Sequence, residues 1–216
     1  MSAKVKTNAC LAALVGVTCV AGAAQAGTVQ PSPRQLSRAT TQFLADHGDL
    51  CMAKYTWPRD VTAADREARS NDAVQLPVLE RLGVVESTLI PAPADASVEP
   101  ARRYSLTAKG QQYYLRRKHT TLDVHGQPVD HDADFCLAHL TLDKVVKWTP
   151  PEAVNGQLET MVRYTYHVKP APWMADPDAR KAFPVADRII RGQGNMLMSV
   201  TVRFEHGKWV PVLPGQ

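Results

Sequence analysis

The chain has 216 residues, 44% of them hydrophobic, with 25 Lys and Arg against 21 Asp and Glu and a formal net charge of +4. That length can bury a real core, in one domain or two small ones. So small a basic excess argues against the concentrated positive field with which proteins hold nucleic acid.

Met1-Ser2-Ala3-Lys4-Val5-Lys6 is a basic head, Leu11 to Ala24 an apolar middle, and Ala24-Gln25-Ala26 a small-residue approach to Gly27. This order describes a secretory signal peptide over residues 1–26, cut after Ala26. The apolar run is about 14 residues, short of the roughly 20 that span a bilayer, so no transmembrane anchor is expected after cleavage. A lipidated Cys19 is the weaker reading, because Gly16-Val17-Thr18 is a poor approach to such a cysteine. Loss of Lys4 and Lys6 leaves 23 basic residues against 21 acidic ones, about +2. Cys10 and Cys19 leave with the leader, and Cys51 and Cys136 remain. In an oxidising compartment the simplest outcome is a disulfide closing a loop of about 85 residues, for which chain entropy gives roughly 4 to 5 kcal/mol. Two buried thiols, or one reactive thiol, are the alternatives.

After Pro31 and Pro33, Leu36, Ala39, Thr40, Phe43 and Leu44 recur at helical intervals over Arg34 to Asp46, with Gly48 as the stop. Leu50 to Pro58 is a short apolar and aromatic stretch in which Tyr55 and Trp57 read as core or rim packing, or as a ligand platform. Thr62 is placed to cap a helix through Arg69. Asn71 or Asp72 is placed to cap another, carrying Val74, Leu76, Val78, Leu79 and Leu82 up to Gly83, with a kink or a late start at Pro77. A strand from Val84-Val85, a loop from Pro91 to Pro100, a strand at Arg102 to Leu106 and a helix Ala108 to Lys118 capped by Thr107 complete this half.

Leu79-Glu80-Arg81-Leu82-Gly83-Val84-Val85-Glu86, followed across a loop by Arg103-Tyr104-Ser105-Leu106-Thr107-Ala108-Lys109-Gly110, resembles the helix, wing and closing helix of winged-helix transcription regulators over residues 62–118. The resemblance implies that the helix Asp72 to Leu82 would read the major groove and that Arg102 and Arg103 would touch phosphate. Base reading favours Arg, Asn or Gln on the exposed face. The helix offers Asp72, Gln75, Glu80 and a single Arg81, so the reading is a winged-helix-like scaffold without the regulator's job. Arg116, Arg117 and Lys118 form a basic run at the expected helix end, where the macrodipole favours cations. The run also suits docking to an acidic partner or an anionic lipid.

Leu122 to Asp134 holds His125, His131 and four Asp. Imidazole and carboxylate are the donors a hard or borderline cation takes, which makes His125, His131 and Asp132 the candidate metal ligands, with His139 able to complete a site. The plainer reading is a hydrated linker, 121–134, turned by Gly126-Gln127-Pro128.

Two alternating runs, Leu137 to Trp148 and Gln157 to Val168, predict a long β-hairpin. Leu158, Thr160, Val162, Tyr164, Tyr166 and Val168 share one face of the second, and Ala138, Leu140, Leu142, Val146 and Trp148 share one face of the first, interrupted by Lys144. Asp176 is placed to cap a short helix with Pro177 in its first turn, and Pro184 to start another that Gly192 ends. Met196 to Phe204 alternates as a strand, and His206-Gly207 turns into Lys208 to Val212. Trp148, Tyr164, Tyr166, Trp173, Phe204 and Trp209 read as core packing. The pattern from Phe135-Cys136 through Val162 to Tyr166 and from Trp173 to Pro184 is similar to a layout of uncharacterised exported bacterial proteins, and no activity comes with that similarity.

The expected fold class is therefore α+β: a winged-helix-like helical domain over 27–120, a linker, and over 135–216 a four-stranded antiparallel sheet with helices on one face. The sequence has no Gly-x-Ser-x-Gly elbow, phosphate loop, Cys-x-x-Cys or His-Glu-x-x-His, and nothing in it calls for a cofactor. The expected function is that of an exported, periplasmic or secreted, non-enzymatic binding or interaction protein with a protein or envelope partner and no nucleic acid. A hydrolytic or metal-dependent enzyme built on the His125 to His139 region is the alternative, and a DNA-binding regulator the third reading.

Overall fold

The computed structural model describes residues 29–91, 99–123 and 125–212. The expected leader with its cleavage point, and most of the Pro91 to Pro100 loop, lie outside them. Ser32 opens α1 (Pro33–His47) with a capping box: its hydroxyl accepts from the Gln35 amide, and the Gln35 side chain takes the Ser32 N–H. Then follow β1 (Asp49–Cys51), β2 (Arg59–Val61), α2 (Ala63–Glu67), α3 (Asn71–Arg81), β3 (Val85–Ile90), β4 (Ala101–Leu106), α4 (Ala108–Gln111), β5 (Tyr114–Leu115), β6 (His119–Leu122) and β7 (Pro128–His131). The second half holds β8 (Asp134–Trp148), β9 (Glu152–Val154), β10 (Gln157–Pro170), a 3-10 turn at Pro172–Ala175, α5 (Pro177–Ala182), α6 (Pro184–Arg191), β11 (Met198–Glu205) and β12 (Lys208–Pro211).

This layout differs from the expected one. Instead of a helical amino-terminal half ahead of a four-stranded sheet, the molecule is rich in strands throughout, around a curled antiparallel sheet of seven. Its order is β1-β8-β10-β11-β12, with β5 also on β8 and β9 also on β10. A three-stranded sheet, β2-β4-β3, and the two-stranded β6-β7 ribbon belong to the half expected to be helical and to the linker. Two- and three-residue strands such as β5 and β1 are too short to show a period, which is why they escaped the pattern. Two cores result. One lies under α1, where Leu36, Ala39 and Leu44 meet Leu140, Val162, Tyr164, Tyr166, Val200, Val202 and Trp209 on the inner face of the sheet. The other joins α3, α5 and α6 to the first turns of β8 around Leu76, Leu79, Tyr104, Phe135, Leu137 and Trp173.

Local departures have local causes. The closing helix stops at Gln111 instead of Lys118, because the Tyr113 carbonyl accepts from the Cys136 amide and draws the chain into β5 beside β8. The basic run Arg116-Arg117-Lys118 therefore lies between β5 and β6, beyond the end of α4, and Arg117 instead donates to the Ala45 carbonyl in the last turn of α1 at 3.3 Å. Ser70 caps α3, which starts at Asn71 and contains Pro77 rather than beginning there, while Asp72, a residue expected to cap it, faces Lys54 and Arg59 instead. Gly110 lets α4 approach β3, since a β-carbon there would stand 2.1 Å from the Val84 carbonyl oxygen. The long hairpin pairs Val168 with Leu140 and Tyr166 with Leu142, but irregularities between Thr165 and Tyr166 and between Arg163 and Tyr164 make Asp143 and Val146 extra residues on β8. Strict alternation would bury Val146 and Trp148; instead Val145 packs inward, and Val146 and Trp148 are 45% and 36% exposed.

Asp176 caps α5 through the amides of Asp178 and Ala179 and also takes the Arg81 guanidinium at 2.7 Å, which ties α3 to α5. Arg81 and those amides hold its carboxyl at about 2, below the ordinary 3.8. A folded-state value below the unfolded one means the stabilisation is complete above about pH 4 and is lost as pH falls toward about 2. Urea midpoints taken at pH 5 and pH 2.5 should therefore drop less in Asp176→Asn, which keeps a capping oxygen, than in the wild-type chain.

Candidate functional site

Asp134, the first residue of β8, is 5% exposed. One carboxylate oxygen accepts from the amides of Lys54 (2.7 Å) and Phe135 (2.6 Å), and the other from that of Ala53 (3.1 Å). This staple fixes the chain leaving β1, where Ala53 adopts a positive φ of 52°. Lys54 then points inward, 2% exposed, onto Asp72, which also takes Arg59 at 2.6 Å. Burial lowers the Lys54 ammonium below its usual range despite the pull of Asp72. Burial pushes the Asp72 carboxyl up, but Lys54 and Arg59 outweigh it and leave the carboxyl below the usual carboxylate value.

Tyr55 faces the other way, over the β6-β7 ribbon. Its ring stacks on His131, centroids 3.4 Å apart, and lies 5.7 Å from His119, while the Tyr114 hydroxyl donates to the Tyr55 carbonyl. His119 and His131 are direct cross-strand partners, and His131 Nε2 lies 3.0 Å from the Thr121 hydroxyl. Next to this ring cluster opens a cleft of about 380 Å³. Cys51 and Cys136 floor it, joined in a disulfide between directly paired positions of β1 and β8. Asp46 and His47 at the end of α1 form one wall; Arg117, His119, Thr120 and Thr121 form the other. Arg117 pairs with Asp49, whose second oxygen meets His139 at 2.7 Å.

The expected bridge between Cys51 and Cys136 is present. The three residues read as metal ligands are spread out. His131 is stacked under Tyr55, His125 is exposed in the ribbon's turn, and Asp132 is exposed, 3.8 Å from Lys118. Among the described residues no group of three or more His, Cys, Asp and Glu could hold a metal ion. The basic run is divided: Arg117 lines the cleft, while Arg116 and Lys118 face solvent. Sequence reasoning missed His47 and His119 as wall residues. The one signal that bore on them was the cysteine pair, because a Cys51–Cys136 bond brings residues 46–55 against 134–136.

The cleft carries hydrogen-bond donors and acceptors of both signs. Its chemistry suits reversible binding of a small polar molecule better than proton transfer. Asp134 already accepts three backbone N–H groups, and His119 Nε2 stands 3.9 Å from it, outside hydrogen-bond reach. No family model, no curated protein and no solved structure matches this chain.

Proposed function

We propose that this is an exported, non-enzymatic binding protein whose recognition site is the cleft over the Cys51–Cys136 bridge. That cleft is the observation that carries the reading: a disulfide holds its floor rigid, and Arg117, His119, His47 and Thr121 present polar atoms around it. A disulfide suits the periplasm or the exterior, where thiols stay oxidised. Among the described residues no helix is long and apolar enough to cross a membrane. The enzymatic alternative has less behind it, since its three named ligands lie apart and both mature cysteines are bonded. The regulator reading is also poorly supported. Gln75 reaches the Ala182 carbonyl, Arg81 is held by Asp176, and Arg103 is held by Asp60 with two contacts of 2.7 Å, so the residues that would read DNA are engaged within the chain.

Cell fractionation and amino-terminal sequencing test the export half. The protein should leave the cytoplasm and begin at Gly27, and a soluble intact precursor inside the cell would overturn that half. Saturation-transfer NMR against small polar envelope metabolites tests the binding half. Binders should be lost in Arg117→Ala and His119→Ala, and binders that both variants retain would move the site elsewhere.

A further inference from the structure

The outer face of the β8-β10 ribbon carries a column of cations that the fold does not use. The bulges at Asp143 and Val146 turn Lys144 and Lys147 outward, where Lys147 lies directly opposite Arg163 and Lys144 opposite Thr165. Farther along, Lys169 lies opposite His139 and His167 opposite Thr141. Lys144, Lys147, Arg163 and Lys169 are all exposed. The nearby carboxylates are occupied: Asp143 by His167 and Thr165, Asp49 by Arg117 and His139, and Glu159 by Arg203. None of the four makes an ion pair among the described residues. Like charges directly opposite in a sheet are unfavourable, so Lys147 and Arg163 cost the fold some stability where they stand.

We propose that this face docks on an anionic lipid bilayer. The inner face of the sheet is filled by α1, and the four cations stand on the face turned away from it. Cations in a row on an open sheet face can meet a flat anionic surface together, each adding to the attraction. From Arg163 to Lys169 the strip runs roughly 20 Å. At its hairpin end Met161, two residues from Arg163 on the same face, is 41% exposed, and Val146, the extra residue beside Lys147, is 45% exposed. Exposed apolar side chains beside cations are a composition that settles at a headgroup boundary. Glu152 and the Glu159–Arg203 pair lie beyond Met161 and end the cationic strip. This inference does not rest on the cleft or on its ligand.

The test is co-sedimentation of the protein beginning at Gly27 with vesicles of phosphatidylglycerol and phosphatidylcholine in equal parts, beside vesicles of phosphatidylcholine alone, at low and at physiological salt. Each cation near an anionic surface contributes roughly fivefold in partitioning, so Lys147→Gln with Arg163→Gln should weaken binding to the anionic vesicles about 25-fold. Added salt should reduce wild-type binding. The control Arg34→Gln with Arg38→Gln, on the exposed side of α1, removes the same charge and should bind as the wild type does. The ribbon variant should melt no lower than the wild type, since it relieves a cross-strand repulsion. Equal loss in both variants, equal binding to neutral vesicles, no binding to anionic ones, or tighter binding to soluble heparin than to vesicles would each overturn the proposal.

Discussion

Replacing Cys51 and Cys136 together by alanine should lower the melting temperature by on the order of 10 to 15 °C. The bridge spans 85 residues, and cross-linking a loop of that length removes about 4 to 5 kcal/mol of chain entropy from the unfolded ensemble. For a chain of this size, each kcal/mol shifts the midpoint by about 2 to 4 °C. Little else would replace it locally. The three-residue strand β1 sits at the sheet's edge and pairs with β8 through Asp49, Leu50 and Cys51, with an irregularity between the last two. Scanning fluorimetry with and without reductant checks this: reductant should bring the wild-type curve down to that of the double variant and leave the variant unmoved. Superimposable curves for the two oxidised proteins would contradict the account.

The second large effect belongs to Asp134→Ala. Removing the carboxylate leaves the amides of Ala53, Lys54 and Phe135 without their acceptor in a nearly solvent-free position. Hydrogen bonds to a charged acceptor contribute about 1.5 to 3 kcal/mol each, and the three act together, so a loss of about 4 to 6 kcal/mol is expected. Asp134→Asn should lose roughly half as much. Its carbonyl oxygen still serves Lys54 and Phe135, while its amide group faces the Ala53 N–H, donor against donor. Urea unfolding measures both losses. Amide exchange locates them: protection at Ala53 and Lys54 should collapse in Asp134→Ala while α1 keeps its own. A loss below about 1 kcal/mol in Asp134→Ala would show that the staple is not what holds this segment.

The difference between those two sites also shows what the sequence could disclose. The disulfide followed from counting, since two cysteines outside the expected leader leave one pairing wherever the compartment is oxidising. Nothing marks Asp134 among the four Asp of its stretch, because two of its three partners are backbone groups 80 and 81 residues earlier in the chain. The cleft was illegible for the same reason. Its walls come from the end of α1 and from the residues after β5, brought together by β1 and β5 docking on opposite ends of the same stretch of β8.

By itself the sequence determined the features that depend on neighbours a few residues apart. The caps at Thr62, Thr107 and Asp176, the buried stripe of β10 and the turn into β12 all follow from hydroxyls and carboxylates that reach amides within one turn, or from a period of two. Only the tertiary structure decided which strands joined the large sheet, where the bulges fell and so which lysines faced out, and which polar side chains surrounded the disulfide. Pairing between distant strands depends on which apolar faces can be buried together, a property of the whole chain that no local spacing encodes.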